Sequence, residues 1–459
     1  MNVTTEIKRT CTMVLLAGLL ALCGPASAGE EAAGTETVRA DGAVYEETLP
    51  NGMQVFIITD RSTPLAVFEV WYNAGSIHEK PGKTGLSHLL EHMMFKGTPS
   101  HGAGSFSKMI KRVGGIDNAG TGKDYAFYFQ KLAPDRLSLS VEMEADRMSN
   151  LIMDPQETLS ERNVVMEERR MRYDDDPQNL VYEEVMAAAF KNHPYRWPTI
   201  GWMSDLKTIT HEDLLTYYRT RYVPNNAFIV AAGNIDVDSL MALIRKDFGR
   251  IPSGDPVRDS IPEEPEQLGE RRVFVRKEAE LPYVFSAYKA PNILDEDSYA
   301  LDVLSSVLSD GKSARIYKSL IDKKQIALSA GAGYSSIQKY PHLFYLYGTA
   351  MPGRPIEDVE KALYEEVENI KEEPPSEREV QKAKNQIESD FIMHQDNVYY
   401  QAMMLALFQM VGDWTLRDRY IDGIRRVTPA DVQRVAKKYL VEDTRTVGVL
   451  IPVKNREAQ

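Results

Sequence analysis

The sequence repeats itself across most of its length, and this repeat constrains the possible folds more than any other feature. The matched residues, each pair 218 positions apart, are Val55-Phe56 and Val273-Phe274, Pro64 and Pro282, and Thr210-x-x-Asp213 and Thr428-x-x-Asp431. Self-similarity at one fixed offset is the signature of a duplicated structural unit. The repeat therefore predicts two homologous halves built on one topology.

Each half mixes two kinds of periodicity. Residues 53–58 and 343–347 are short stretches rich in β-branched and aromatic residues, which is typical of strands. Residues 136–151 and 355–370 carry apolar residues at helical spacing. Because strands and helices do not alternate strictly, we expect each half to be an α+β unit with helices packed on a sheet.

The boundary between the halves is marked by composition. Residues 251–269 contain four prolines and an acidic cluster at Glu263, Glu264 and Glu266. Such a segment is typical of an exposed linker. We expect a first half at residues 29–250, a linker at residues 251–270 and a second half at residues 271–459.

The first 28 residues have the pattern of a cleaved export signal. Lys8 and Arg9 precede an apolar run at residues 13–22, and a small-x-small site ends at Ala28. The run is too short for a spanning helix, which needs about 20 apolar residues. A lipid anchor on Cys23 is the alternative, although Leu22 stands where a lipobox has a small residue. We predict cleavage after Ala28 and a periplasmic or secreted protein without a transmembrane segment.

Cysteine and charge exclude several kinds of chemistry. Both cysteines, Cys11 and Cys23, lie in the signal segment, so the mature chain has no thiol nucleophile or thiolate ligand. The net charge of −13 gives no basic surplus to neutralise phosphate, and we expect no nucleic-acid partner.

One motif carries the chemistry. Within residues 85–94 the sequence His88-x-x-Glu91-His92 lies among apolar residues at helical spacing. One helical turn separates the two histidines, so both imidazoles can reach one metal ion. Glu91 flanks the same face and can act as general base without being a ligand. Two ordinary helical histidines are the alternative, but this spacing is the inverted form of a zinc peptidase motif.

The chain resembles the family of pitrilysin, insulin-degrading enzyme and mitochondrial processing peptidase over nearly its whole mature length. The segments that carry the resemblance are residues 73–76, 114–119, 161–168, 193–195 and 222–226, together with the histidine motif. The family implies a zinc endopeptidase with one Zn²⁺ per chain, in which two halves form part of a clamshell chamber. It also implies peptide substrates that are short or unfolded.

The resemblance assigns further residues to the site. It implies that Glu168 is the third zinc ligand and that Glu161 supports the site from behind. From the residues alone, Glu161 and Glu168 would belong to a solvated acidic helix face. Asn118 and Ala119 match the family's edge strand, which pairs with the substrate backbone; a turn between packed elements is the alternative.

The second half departs from the family pattern. At the offset of 218, the three motif residues map to Ser306, Ser309 and Asp310, which cannot rebuild a zinc site. Where the family has an Arg and a Tyr that bind the substrate, this chain has Ile321 and Leu328.

Two aliphatic side chains donate no hydrogen bond, so we expect the chain to need a homologous subunit that supplies the pair. A homodimer is possible if Arg315, Tyr317 or Tyr334 has taken over. The alternatives for the whole protein are a processing peptidase with narrow specificity and a non-catalytic scaffold of the same fold.

Overall fold

The computed structural model describes residues 35–39 and 42–453. The predicted signal segment lies outside these residues. Within the described ranges, every helix falls short of the length and apolar character that a bilayer crossing demands.

The first half is a seven-stranded sheet with helices on its faces. Its strands are β1 Thr35–Arg39, β2 Gly42–Thr48, β3 Gln54–Thr59, β4 Ala66–Tyr72, β5 Ile116–Thr121, β6 Ala126–Leu132 and β7 Ala227–Gly233. Its helices are α1 Leu86–Met93, α2 Ser105–Arg112, α3 Leu137–Asn150, α4 Pro155–Arg169, α5 Pro177–Ala189, α6 Met203–Leu206, α7 His211–Arg221 and α8 Val237–Asp247. The strand order is β1-β2-β3-β7-β4-β6-β5, which leaves β5 at one edge.

The second half is a five-stranded sheet of the same design. Its strands are β8 Arg271–Glu278, β9 Tyr283–Ala290, β10 Ala327–Gly333, β11 His342–Ala350 and β12 Arg445–Val453. Its helices are α9 Asp297–Ser309, α10 Ile356–Glu372, α11 Glu377–Gln395, α12 Val398–Val411, α13 Leu416–Arg426 and α14 Pro429–Tyr439. The strand order is β10-β11-β9-β12-β8.

The two sheets share one topology, which confirms two homologous α+β halves. The order β5-β6-β4-β7-β3 of the first half corresponds strand by strand to β10-β11-β9-β12-β8. In each half one pair is parallel, β3 with β7 and β8 with β12. The repeated Thr-x-x-Asp pattern has a local cause, since Thr210 and Asp213 form a capping box at α7, as Thr428 and Asp431 do at α14.

Each half lends a helix to the other. Helix α5 packs on β8, β9 and β12 of the second sheet, where Val181 and Val185 join the core around Phe285. Helix α12 packs on β4 and β7 of the first sheet, where Ala402 and Leu405 join its core. The exchanged helices bury the face of each sheet that its own half leaves open.

The connecting segment is mostly exposed, as its composition predicts, but it is also bonded to the two halves. Residues 251–270 contain no helix or strand. Asp259 contacts His78 at 3.2 Å and Arg221 at 2.6 Å. Glu264 pairs with Lys289 of β9 at 3.4 Å and accepts the backbone N–H of His193 at 2.9 Å. Paired carboxylates therefore hold this segment against the protein.

Candidate metal centre

Helices α1 and α4 bring the three predicted ligands together. His88 and His92 lie one turn apart on α1, with ring centroids 4.9 Å apart, and Glu168 lies near the end of α4. Glu168 Oε2 is 3.6 Å from His88 Nε2 and 3.4 Å from His92 Nε2. The ligand atoms of the three residues all lie within 4.8 Å of one another. Glu168 thus faces the histidines and is not part of a solvated helix face.

The start of α1 is fixed by a side chain that sequence reasoning missed. Gly85 precedes the helix with a φ of 95°, in the left-handed region that favours glycine. The buried carboxylate of Glu79 accepts the N–H groups of Gly85 at 2.8 Å and Ser87 at 2.7 Å. These groups have no partner inside a helix, so Glu79 takes the place of the usual capping residue. Glu79 precedes the motif outside any recognised capping pattern, so only the structure identifies it.

The donor set fits a zinc ion. Burial, with smaller contributions from His92 and Arg172, lowers the pKa of His88 to about 3, so its imidazole is neutral at physiological pH. A neutral imidazole is the form that binds a metal. Two imidazoles and one carboxylate are also a ligand set found in catalytic zinc sites, which keep a fourth position open.

Glu91 stands beside this cluster without joining it. Its side chain is partly buried between α1 and β5, and burial raises its pKa above the ordinary value. Thr121 Oγ1, at the end of β5, donates a hydrogen bond to Glu91 Oε2 at 2.5 Å. A carboxyl group with a raised pKa beside a candidate metal site has the properties of a general base.

Two cations hold the acidic side chains from outside. Glu161 Oε2 lies 3.2 Å from His92 Nδ1, and Lys96 Nζ lies 2.5 Å from Glu161 Oε1. Arg172 Nη2 lies 2.9 Å from Glu168 Oε1, the oxygen not directed at the histidines. Such contacts fix the tautomer and orientation of metal ligands. Glu161 therefore lies where the resemblance implies, whereas Lys96 and Arg172 were not predicted.

Asn118 and Ala119 lie on a free sheet edge. Both are in β5, which pairs with β6 on one side and ends the strand order on the other. Asn118 is exposed and Ala119 is half-buried. An unpaired strand edge presents N–H and C=O groups to another chain, so this edge can accept an extended peptide beside Glu91.

The second half offers no replacement for the missing pair at the expected positions. Ile321 is partly buried and Leu328 is 57% exposed. Arg315 is held by Glu379 through Nε at 2.8 Å and Nη2 at 3.1 Å. Tyr334 donates its hydroxyl to a backbone carbonyl at 2.6 Å, and Tyr317 is half-buried. Arg315 and Tyr334 are thus already engaged within their own half.

Comparisons with known proteins agree with this architecture. Residues 54–201 match the insulinase (peptidase family M16) domain, and residues 208–387 match the peptidase M16 inactive domain. Zinc protease PqqE of Helicobacter pylori is 32% identical over 408 residues, covering 88% of this chain and 91% of the relative. An uncharacterized zinc protease of Streptomyces coelicolor is 26% identical, covering 91% of each chain. The crystal structure of a protease from Helicobacter pylori superposes with a TM-score of 0.86 at 32% identity, covering 90% of this chain and all of the other.

Proposed function

Because this chain belongs to the insulinase family of peptidases, family M16, we propose that it is a zinc-dependent endopeptidase with its active site in the first half. The observation that carries the proposal is the convergence of His88, His92 and Glu168 within 4.8 Å, with Glu91 beside them. This arrangement disfavours the scaffold alternative, since a scaffold needs neither a ligand set nor a base.

The residues divide the work of peptide hydrolysis. His88, His92 and Glu168 would hold the ion, and zinc when bound supplies Lewis-acid activation of water and of the scissile carbonyl. Glu91 accepts a proton from the attacking water and returns it to the departing amine. The free edge of β5 binds the substrate backbone, which orients the scissile bond toward Glu91.

The proposal includes a location and a substrate class. Because the sequence predicts an export signal, the proposed location of the mature protein is the periplasm or the outside of the cell. An extended backbone is needed to pair with β5, so unfolded or short peptides are the substrates that fit.

We further propose that full activity needs a second, homologous subunit. Zinc and Glu91 can activate water, but a hydrogen-bond donor to the oxyanion is typically worth a factor of about 10²–10³ in rate. Ile321 and Leu328 cannot donate, and Arg315 and Tyr334 are engaged elsewhere. A partner that carries an Arg and a Tyr at these positions would supply the donors in a heterodimer.

The test is an assay of the mature chain on an unstructured fluorogenic peptide, with and without the candidate partner. Chelation should abolish cleavage and added zinc should restore it. The variant Glu91→Gln should keep about one zinc per chain and lose activity, because Glu91 is not a ligand. Full activity of Glu91→Gln would refute the active-site assignment, and robust turnover by the chain alone would refute the need for a partner.

A further inference from the structure

We propose that Thr121 is the positioning residue of the general base, held in place by a hairpin turn whose two tip residues are anchored in the protein interior. The inference rests on the proposed function, since it concerns how Glu91 performs its role. Thr121 has no part in the ligand set, and its contribution lies in orienting one carboxylate.

The contact between Thr121 and Glu91 leaves one carboxylate oxygen for catalysis. Thr121 Oγ1 donates to Glu91 Oε2 at 2.5 Å, so Oε1 is the oxygen that can take a proton from water. A hydroxyl donates one hydrogen, and that hydrogen stabilises the charged form of the carboxylate. Threonine is β-branched and stiff at χ1, so the direction of this bond is well defined.

The turn after Thr121 is anchored through its side chains. Gly122 N–H donates to Tyr125 O at 2.8 Å and closes a hairpin with Lys123 and Asp124 at its tip. Lys123 Nζ donates to Tyr195 O at 2.9 Å and to Trp197 O at 2.8 Å. The hydroxyl of Tyr195 donates to the buried carboxylate of Asp124, 2.8 Å from Oδ1 and 2.7 Å from Oδ2. Hairpin tips normally lie in solvent, so a buried Asp124 and a half-buried Lys123, each bonded to the protein behind the hairpin, indicate an anchoring role.

The backbone adds a second anchor. Ile77 N–H donates to Lys123 O at 2.8 Å. A Cβ on Gly75 would lie 2.2 Å from Lys123 O, so only glycine allows this close approach. The segments at residues 73–76 and 193–195, which carried part of the family resemblance, thus both fix the hairpin that positions Thr121.

The test compares Thr121→Val with Thr121→Ser in the active enzyme, with the partner present. Valine keeps the shape of threonine but cannot donate, so kcat should fall about 10- to 100-fold, as expected for a misplaced catalytic group. The KM and the zinc content should not change. Serine restores the hydroxyl and should recover most of kcat.

A remote variant tests the anchoring. Tyr195→Phe removes the donor to Asp124 and should lower kcat by a smaller factor than Thr121→Val, again with KM and zinc content unchanged. Peptide binding to Glu91→Gln, measured by fluorescence anisotropy, should be the same with and without Thr121→Val.

Several results would overturn the inference. An unchanged kcat in Thr121→Val would show that the bond does not matter, and a loss of zinc would show a structural role. Weaker peptide binding would make Thr121 a substrate contact. Failure of the wild-type enzyme to cleave peptides would instead refute the proposed function, so the two failures are distinguishable.

Discussion

Helix α1 of the first half and helix α9 of the second occupy equivalent places behind equivalent sheets, yet among the described residues α1 presents candidate metal ligands and α9 does not. The corresponding positions are Ser306 and Ser309 of α9 and Asp310 directly after it. Apolar residues of α9, such as Leu304 and Leu308, pack into the core of the second half. The second half therefore keeps the fold without a metal-ligand cluster at this place. A metal held by the first half would therefore serve chemistry, since the same fold forms in the second half without a ligand set.

The largest expected effect is on metal binding, which a substitution on α1 should abolish and the matching substitution on α9 should leave unchanged. His88→Ala should reduce bound zinc from about one ion to none and abolish peptidase activity, because two ligands cannot retain a catalytic zinc. Ser306→Ala, its counterpart on α9, should change neither. Metal analysis and thermal unfolding check this together. A large fall in the Tm of metal-free His88→Ala relative to the metal-free wild type would contradict the view that the fold forms without its ligand set.

A second prediction asks whether the halves of this chain can be made to complement each other. The double variant Ile321→Arg, Leu328→Tyr should raise kcat of the chain without its partner about 10-fold or more, through restored oxyanion donors. Leu328→Phe in place of Leu328→Tyr is the matched control, since it adds the ring without the hydroxyl. Equal kcat values for the double variants with Leu328→Tyr and Leu328→Phe would show that position 328 does not supply an oxyanion donor.

A third prediction concerns the side chains that support α1, the helix that carries His88 and His92. Lys96→Met leaves Glu161 without its ammonium partner, so His92 is held less firmly and zinc affinity should fall about 10-fold. Competition with a chelating dye measures this. Lys246→Met, which removes an exposed lysine of α8, is the control and should leave affinity unchanged. Equal zinc affinities for Lys96→Met and Lys246→Met would show that Lys96 does not support the metal ligands.

The smallest expected effect is on the pH dependence of stability, to which each half contributes one buried carboxyl group. Burial raises the pKa of Glu69 to about 8, although Trp71 Nε1 donates to it at 2.8 Å, and that of Asp302 to about 7. Both pKa values exceed those of the unfolded chain, so the folded protein binds these protons more tightly. The stability they confer is complete below about pH 4 and is lost as pH rises through 7 and 8.

Glu69→Gln and Asp302→Asn cannot ionise, so each should flatten the decline of unfolding free energy between pH 5 and 7 by up to about 1.4 kcal/mol per pH unit. Urea unfolding across this range measures the slope. Slopes identical to that of the wild type would show that neither group changes its protonation on unfolding.

Local patterns in the sequence predicted much of this structure. The helix expected at residues 136–151 is α3, Leu137–Asn150, and the strand expected at residues 343–347 lies within β11, His342–Ala350. The histidine motif predicted its own geometry because one helical turn fixes the spacing of its side chains. Glu168 depended on the family resemblance, since no periodicity connects α4 with α1.

The remaining features depend on contacts that local pattern does not encode. The apolar stripes of α5 and α12 predict burial, but periodicity does not say against which sheet a helix packs. Glu79 and Thr121 are ordinary polar residues in sequence, and only the folded chain brings them to α1. The packing partners of α5 and α12, and the positions of Glu79 and Thr121, depend on tertiary contacts between residues far apart in the sequence.

The exchange of α5 and α12 has a consequence for the order of synthesis. Translation produces the first sheet long before Val398–Val411, so the aromatic face around Trp71 stays uncovered until that helix has been made. Helix α5 is made earlier than β8, β9 and β12, so it has no sheet to pack on until these strands have been made. The nascent first half therefore cannot finish folding as a domain that emerges alone. Both halves therefore reach their final form together, when α5 and α12 have packed on the opposite sheets.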